Sequence, residues 1–279
     1  MAAIIPSSLP AFTYTGNYTT ELRSDWGWVI RFTSNGVLKF DEDQRIDVHI
    51  LGGGGQGGGG NASPGGGGGG GYQTMKYSVA AIAGTPYTIV IGEGGGNKSG
   101  SGEDGDPSTA FGFTADGGKG GSYGDSKSTP TKGGAGGTGN GAGSSGIGVS
   151  NSVREFGGDS SWPIYGGGGG SDDDGVGGYP YGGSEEGAAT GYGGGGAGCS
   201  ATGDSSSEGG SGGSGIVAIR NSEVLELPVK FDGVTLLKMY FNGQEVKHLI
   251  HNGTKLFIER MRRCSDWSKP KTLSVRPAT

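Results

Sequence analysis

"LGGGGQGGGGNASPGGGGGGGYQ", residues 51–73, decides how the rest of the chain is read. As a tether it would join two self-sufficient domains. As an ordered segment it must satisfy its backbone N–H and C=O groups without help from side chains. Composition favours the tether. Glycine supplies 69 of 279 residues and only 31% are hydrophobic, a balance normal for low-complexity chain. No strict G-X-Y period is present, so a collagen helix is excluded.

The flanks argue the other way. Residues 52–215 hold 63 of the 69 glycines, and ordinary sequence lies on both sides. "WGWVIRFTSNGVLKF" (26–40) alternates aromatic and β-branched residues around Asn35-Gly36, which predicts a hairpin. "RIDVHIL" (45–51) sets Ile46, Val48 and Ile50 against Asp47 and His49, the pattern of a half-buried strand. "YQTMKYSVAAIAGTPYTIVIG" (72–92) predicts two strands about a turn at 83–86, and "SGIVAIR" (214–220) one more. Neither flank has enough strands to close a sandwich alone. The strands must meet in one sheet system, with the glycine tracts as excursions from it.

Glycine tracts can be ordered as polyproline-II-like helices, with three residues per turn and no internal hydrogen bonds. Their backbone groups point sideways. Without Cβ atoms, neighbouring helices approach until those groups bond to one another. Each fixed residue costs roughly 1–2 kcal/mol of backbone entropy, so only a bundle packed laterally and anchored on a β-domain offsets the cost. Turn-rich insertions such as "NASP", "YGDSKSTPTK" and "CSATGDSSSE" then read as loops at the bundle ends.

After residue 221 the composition changes. "LKMYFNGQEVK" and "HLIHNGTKLF" repeat at a period of ten around Asn242-Gly243 and Asn252-Gly253, which predicts a three-strand meander. The stretch after Cys264 has no clear pattern. The expected organisation is 1–221, a β-domain with the glycine bundle mainly at 52–71 and 93–215, then 222–279, a β-meander and tail.

Net charge is −6, with both signs scattered and no long basic block. Nucleic acid and anionic membrane are poor partners for such a chain. Two cysteines, Cys199 and Cys264, are too few for a disulfide framework and read as free thiols. "MAAIIPSSLPAF" lacks a basic n-region, so neither a signal peptide nor a membrane span is expected there.

In their order along the chain, "VHILGGGGQGGGG", "PYTIVIGEGG", "GEDGDPSTAFG" (102–112) and "GGSGGSGIVAIR" resemble glycine-rich tail-fibre and receptor-binding proteins of bacteriophages and prophages. The likeness covers roughly residues 12–220. The glycine architecture is also similar to distal tail-fibre adhesins of T-even-like phages, and to the glycine-rich region of anaplastic lymphoma kinase ectodomains, where such helices grow from a jelly roll. The resemblance implies an all-β fold: a jelly-roll-like β-sandwich with an inserted bundle of polyglycine helices and a small C-terminal meander. It implies a virion protein of the tail, assembled in the host cytoplasm, with a bacterial surface receptor (protein or glycan) and other tail proteins as partners. A homo-oligomer, in expectation a trimer, goes with it. A structural virion spacer with no receptor-binding role is the alternative.

Catalysis is not expected. G-x-G-x-x-G matches follow from composition alone, and Gly94 to Ser99 lacks the glycine before Lys98 that a phosphate loop needs. His49, His248 and His251 sit on expected strands as ordinary satisfied histidines. No cofactor and no metal are expected; Asp172, Asp173 and Asp174 read as a solvated loop tip before a cation site.

The informative residues are aromatics within the glycine zone: Tyr123, Phe156, Trp162, Tyr165, Tyr179, Tyr181 and Tyr192. A polyglycine bundle has no interior room for such rings. Tyr and Trp among Ser, Gly and Asp is paratope chemistry, rigid amphipathic area with adaptable polar neighbours. The expected receptor-binding residues are Trp162, Tyr179, Tyr181 and Tyr192, with Asp172 to Asp174 between them. Phe156 and Tyr165 are expected to pack on the β-domain instead.

Overall fold

The computed structural model describes residues 6, 8–23, 27–60, 64–96, 99–124, 153–156, 163–169, 188–189, 191–199 and 208–222, with the backbone of short strands between 224 and 277. Every regular element among them is a β-strand, and the described residues contain no helix.

A five-stranded antiparallel sheet forms one layer. Its order is β2 (Tyr18–Arg23), β3 (Gly27–Phe32), β12 (Ile216–Asn221), β5 (Gln44–Leu51) and β6 (Gln73–Ala81). A second sheet joins β1 (Phe12–Tyr14), β4 (Gly36–Phe40) and β7 (Tyr87–Ile89). A tight hairpin of β8 (Ser108–Ala110) and β9 (Phe113–Ala115) packs beside it, its Phe111-Gly112 turn at φ +52° and +77°.

The core lies between the layers. Trp28, Ile30 and Phe32 of β3, Ile46, Val48 and Ile50 of β5, and Val217 and Ile219 of β12 meet Leu38, Phe40, Ile89, Ala110 and Ala115. Each such Ile or Phe, removed from water, contributes about 1.5–3 kcal/mol. Period-two alternation sends these residues inward. It sends Arg31, Asp47, His49, Ala218 and Arg220 to the other face of the same sheet.

The hairpin predicted around Asn35-Gly36 is corrected by this layering, and the two strands predicted at 72–92 form but do not pair with each other. β3 does not pair with β4, and β6 does not pair with β7; each pair is split between the two sheets. Asn35-Gly36 is a corner between layers, where Asn35 Oδ1 accepts a hydrogen bond from Ile91 N–H at 2.7 Å. Gly84, at φ +70°, makes the other corner and donates to Phe40 O at 2.8 Å. Both strands of each pair carry core residues, so folding one across the core buries more than pairing them side by side.

The described glycine segments are bonded laterally, with a period of three. Gly52, Gly55 and Gly58 donate to the carbonyls of Tyr72, Gly69 and Gly66. Gly53, Gln56 and Gly59 donate to Asp106, Glu103 and Gly100, and Gly54 and Gly57 to Gly213 and Gly210. Carbonyls of the same segment accept from Gly118, Gly121 and Gly124, from Gly196 and Cys199, and from Gly95. Residues 52–59 are thus ringed by six other stretches of chain. The distances run from 2.7 to 3.1 Å. These lateral bonds satisfy the backbone without an apolar interior, but the expected polyglycine helices are not among the elements of the described residues, which are all β-strands.

At most of these glycines a Cβ would not fit: one added at Gly57 would fall on the Ala197 carbonyl, and one at Gly196 on that of Gly210. Gln56 is the exception in the central segment. Its side chain is fully buried; Oε1 accepts from Glu103 N–H at 3.0 Å, and Nε2 donates to Gly209 O at 3.3 Å.

After Ser222 the backbone forms short pairs. β17 (Leu249–His251) and β18 (Thr254–Ile258) flank Asn252-Gly253 as the predicted hairpin, and β19 (Val275–Pro277) adds to β18. The meander is corrected at its first strand. Met239–Tyr240 pairs with Val224–Leu225 instead of extending the β17–β18 sheet. The third strand comes from the unpatterned tail.

Candidate functional site

The outer face of the five-stranded sheet is covered by a strap of two short strands, β10 (Val153–Arg154) and β11 (Ile164–Tyr165), paired antiparallel. Residues 157–162 connect the two arms in sequence and carry Trp162.

Glu155 is the bolt. It is fully buried, and Arg31 on β3 donates to it from Nε at 2.8 and 3.1 Å. Tyr165 OH donates to the same carboxylate at 2.6 Å. Glu155 N–H donates to Pro163 O at 2.9 Å, which closes the strap. Arg31 also reaches Glu21 on β2 at 2.8 Å. Although burial opposes its charge, these carboxylates hold Arg31 more firmly protonated than a free guanidinium. Burial, then the Glu155 charge, pushes the Tyr165 hydroxyl far above the ordinary phenol range, so it stays a donor.

A second set of contacts holds Phe156. Its backbone sits at φ +54°, and its ring lies under the Arg220 guanidinium at 4.6 Å. Tyr77 OH donates to its carbonyl at 3.4 Å. Gln73 Nε2 donates to Arg154 O at 3.2 Å. Arg220 is itself paired with Asp47 at 3.1 Å, and Asp47 accepts from Ser222 Oγ at 2.6 Å and from Ser78 N–H at 3.0 Å.

His49 is enclosed between these groups. It is fully buried, stacked on Tyr165 at 5.8 Å and tilted against Phe156 at 6.1 Å. Among the described residues neither ring nitrogen has a hydrogen-bond partner. Burial first, and then the Arg31 charge, lower its pKa to about 3. The expectation of a satisfied strand histidine is thus corrected. So is the half-solvated face expected for Asp47 and His49: the strap covers both. Strand alternation marks which face they occupy but cannot say that a segment a hundred residues away lies on it.

Phe156 and Tyr165 pack on the sheet as expected. Tyr192 is half-buried against Leu51, Tyr165 and Ile216, its ring edge-on to Tyr165 at 6.2 Å. Its carbonyl accepts from Gly166 N–H at 3.1 Å. Trp162, Tyr179, Tyr181 and Asp172 to Asp174 lie outside the described residues. Of the two cysteines, Cys199 is a buried free thiol and Cys264 lies outside the described residues. Arg31, Glu155, Asp47 and Arg220 were missed from the sequence. The only signal was a charge at alternate positions of strands that otherwise read as core.

One further depression opens on the glycine side, about 610 Å³ in volume and lined by Ser99, Ser101, Glu103, Asp104 and Asp106. Asp104 is bonded to Lys119 Nζ at 2.7 Å and to Gly120 N–H at 2.9 Å; against the effect of burial, these hold its carboxyl below the usual range. Among the described residues no group of three or more His, Cys, Asp or Glu is placed to hold a metal ion.

Antiparallel sheets from which laterally bonded glycine segments leave and return define a glycine-rich β-protein. The chain belongs to the family described as "Glycine-rich domain", whose model matches residues 33–222. The match ends at Ser222, the residue that closes the Asp47 network. No curated protein matches the chain.

Proposed function

We propose that this protein is a bacteriophage tail receptor-binding protein that carries recognition loops on a rigid bundle of polyglycine helices, the bundle growing from a jelly-roll-like sandwich. The observation that carries the reading is the three-residue period of lateral bonds around residues 52–59. A helix with three residues per turn and sideways N–H and C=O groups gives that period, and six neighbours are what close packing of such rods allows. Apart from residues such as Gln56, Ala197 and Cys199 the interior of the bundle holds glycine, so diversity is confined to the connections. Loops on a rigid support bind at a lower entropy cost.

The strap adds to this. Glu155, Tyr165 and Phe156 fix the two arms that lead in sequence to Trp162. A host surface receptor, protein or glycan, suits the Trp162, Tyr179 and Tyr181 chemistry. The virion is the corresponding location, with other tail proteins as partners. Tyr192 serves the scaffold through Tyr165, and that contact favours the alternative, a virion spacer, at that one position.

The test is adsorption to host cells. Trp162→Ala combined with Tyr181→Ala removes two anchors, each worth about 2 kcal/mol or more. Attachment is expected to be lost while thermal unfolding stays within a degree or two of the parent. Adsorption equal to the parent's would transfer the assignment to the spacer.

A further inference from the structure

The two edges of the five-stranded sheet are treated differently. At β6, two residues (Tyr77 and Ser78) oppose Asp47 in a bulge, with Ser78 at φ +55°. The β8–β9 side also reaches this edge: Thr74 Oγ1 donates to Thr114 O at 2.7 Å, and Tyr72 N–H to Asp116 O at 2.9 Å. Bulges and covering contacts are how sheets block edge-to-edge pairing. Among the described residues β2 has none of these. It is six regular residues, Tyr18-Thr19-Thr20-Glu21-Leu22-Arg23, paired in unbroken register with β3. It contains no Pro and no Lys. Its two charges bond to each other at 3.3 Å, and Glu21 also to Arg31, so neither guards the edge. Tyr18, Thr19, Thr20 and Leu22 are exposed, Tyr18 by 44% and Leu22 by 55%.

The direction of its backbone groups is fixed. Asn17 O accepts from Thr33 N–H at 3.0 Å, so residue 17 points its groups at the β3 side. By antiparallel alternation 19, 21 and 23 do the same, and 18, 20 and 22 point outward.

We propose that this edge pairs with the β2 edge of a second copy of the same chain, antiparallel about a twofold axis at Thr20. In that register Thr20 faces Thr20 of the second copy, Tyr18 faces its Leu22, and Leu22 faces its Tyr18. These are the residues whose backbone groups point outward, so all three pairs exchange hydrogen bonds. The two exposed apolar side chains cover each other, a favourable cross-strand pair. On the opposite face Thr19 meets Glu21, and no like charges oppose. Sliding the register by two residues in one direction sets Glu21 against Glu21; sliding it the other way sets Leu22 against Gly16. The edge is self-complementary in one register, which is why a second copy, and not an unrelated strand, is its occupant. The result is one ten-stranded sheet across the dimer. This assembly is independent of the receptor reading and is twofold, unlike the trimer that the family resemblance implies.

The test uses the full chain carrying Cys264→Ser. Paired Cα atoms across hydrogen-bonded positions lie about 5.5 Å apart, inside the 4.4–6.8 Å that a disulfide spans. Thr20→Cys is therefore expected to give a covalent dimer under mild oxidation. Leu22→Cys, offset by four residues or about 14 Å, is expected to stay uncrosslinked. In sedimentation velocity the chain without added cysteine is expected to run as a dimer, and Thr20→Pro, which deletes an outward N–H, as a monomer with unchanged melting. Leu22→Lys gives a second route to the monomer should Thr20→Pro unfold. A monomeric parent, a trimer, or crosslinking at position 22 as fast as at position 20 would overturn the proposal.

Discussion

Acidification should loosen the strap through one imidazole. His49 is fully buried with both nitrogens unpartnered among the described residues, and its pKa lies at about 3 against an ordinary 6.5. The groups around it are Arg31 from β3, Asp47 from its own strand, Arg220 from β12, and Glu155, Phe156 and Tyr165 from the strap. Between pH 6.5 and 3 the unfolded chain holds a proton here that the folded chain refuses, so stability rises with pH across that window and is complete above it. At pH 5 the deficit at this residue is about 2 kcal/mol. For a domain of this size that is roughly 4–8 °C in melting temperature. Denaturant unfolding at pH 7.5 and pH 5 should be compared for the parent and for His49→Phe, which keeps an aromatic ring beside Tyr165 and Phe156. Carboxylates and the other histidines titrate in both proteins and cancel in the difference. The variant is expected to lose about 2 kcal/mol less than the parent on going to pH 5. Equal losses in the two proteins would refute the reasoning, since His49 would then be solvated or paired in the native state.

Two further outcomes follow from the glycine segments. Gly57→Ala, whose Cβ meets the Ala197 carbonyl, is expected to abolish cooperative folding or lower the melting temperature by more than 10 °C on the order of several kcal/mol, whereas Gly96→Ala, whose nearest neighbour is the movable Glu103 carboxylate at 3.3 Å, should change it little; differential scanning calorimetry distinguishes them. Gln56→Ala strands Glu103 N–H and Gly209 O in the interior, an expected loss of about 1–3 kcal/mol, read in denaturant midpoints together with faster amide exchange at Glu103.

Much of this architecture was legible in local pattern. Alternation at Ile46, Val48 and Ile50 placed β5, and the apolar run at 216–219 placed the strand that closes the sheet. The return of glycine tracts to strands argued for order in them. Pairing was the illegible part. Asn35-Gly36 and Ala83 to Pro86 signal chain reversal, but a reversal within one sheet and a corner between two sheets use the same turn residues; which occurs depends on the whole core. β1 and β2 escaped because "FTY" and "YTTELR" are short and polar at an exposed edge. The strap escaped because "VREF" and "PIY" are too short to show a period. Their partners Arg31, Asp47 and Arg220 come from three different strands. Of the glycine-zone aromatics, Phe156, Tyr165 and Tyr192 pack on the scaffold, and nothing in their local sequence marks them for that.

The three-residue spacing of bonds around residues 52–59 also sets the unit in which this chain can change length. Each residue of that segment is addressed to one neighbour, and the next two residues to two others. Deleting a single glycine shifts everything beyond it by one third of that bonding period. Every later amide then points at the wrong segment, and Gln56 or its surroundings at a wall of backbone. Deleting three residues restores every address and merely shortens the segment by one period of its bonding. Such segments tolerate gain and loss only in threes, a reading frame written in geometry and not in codons.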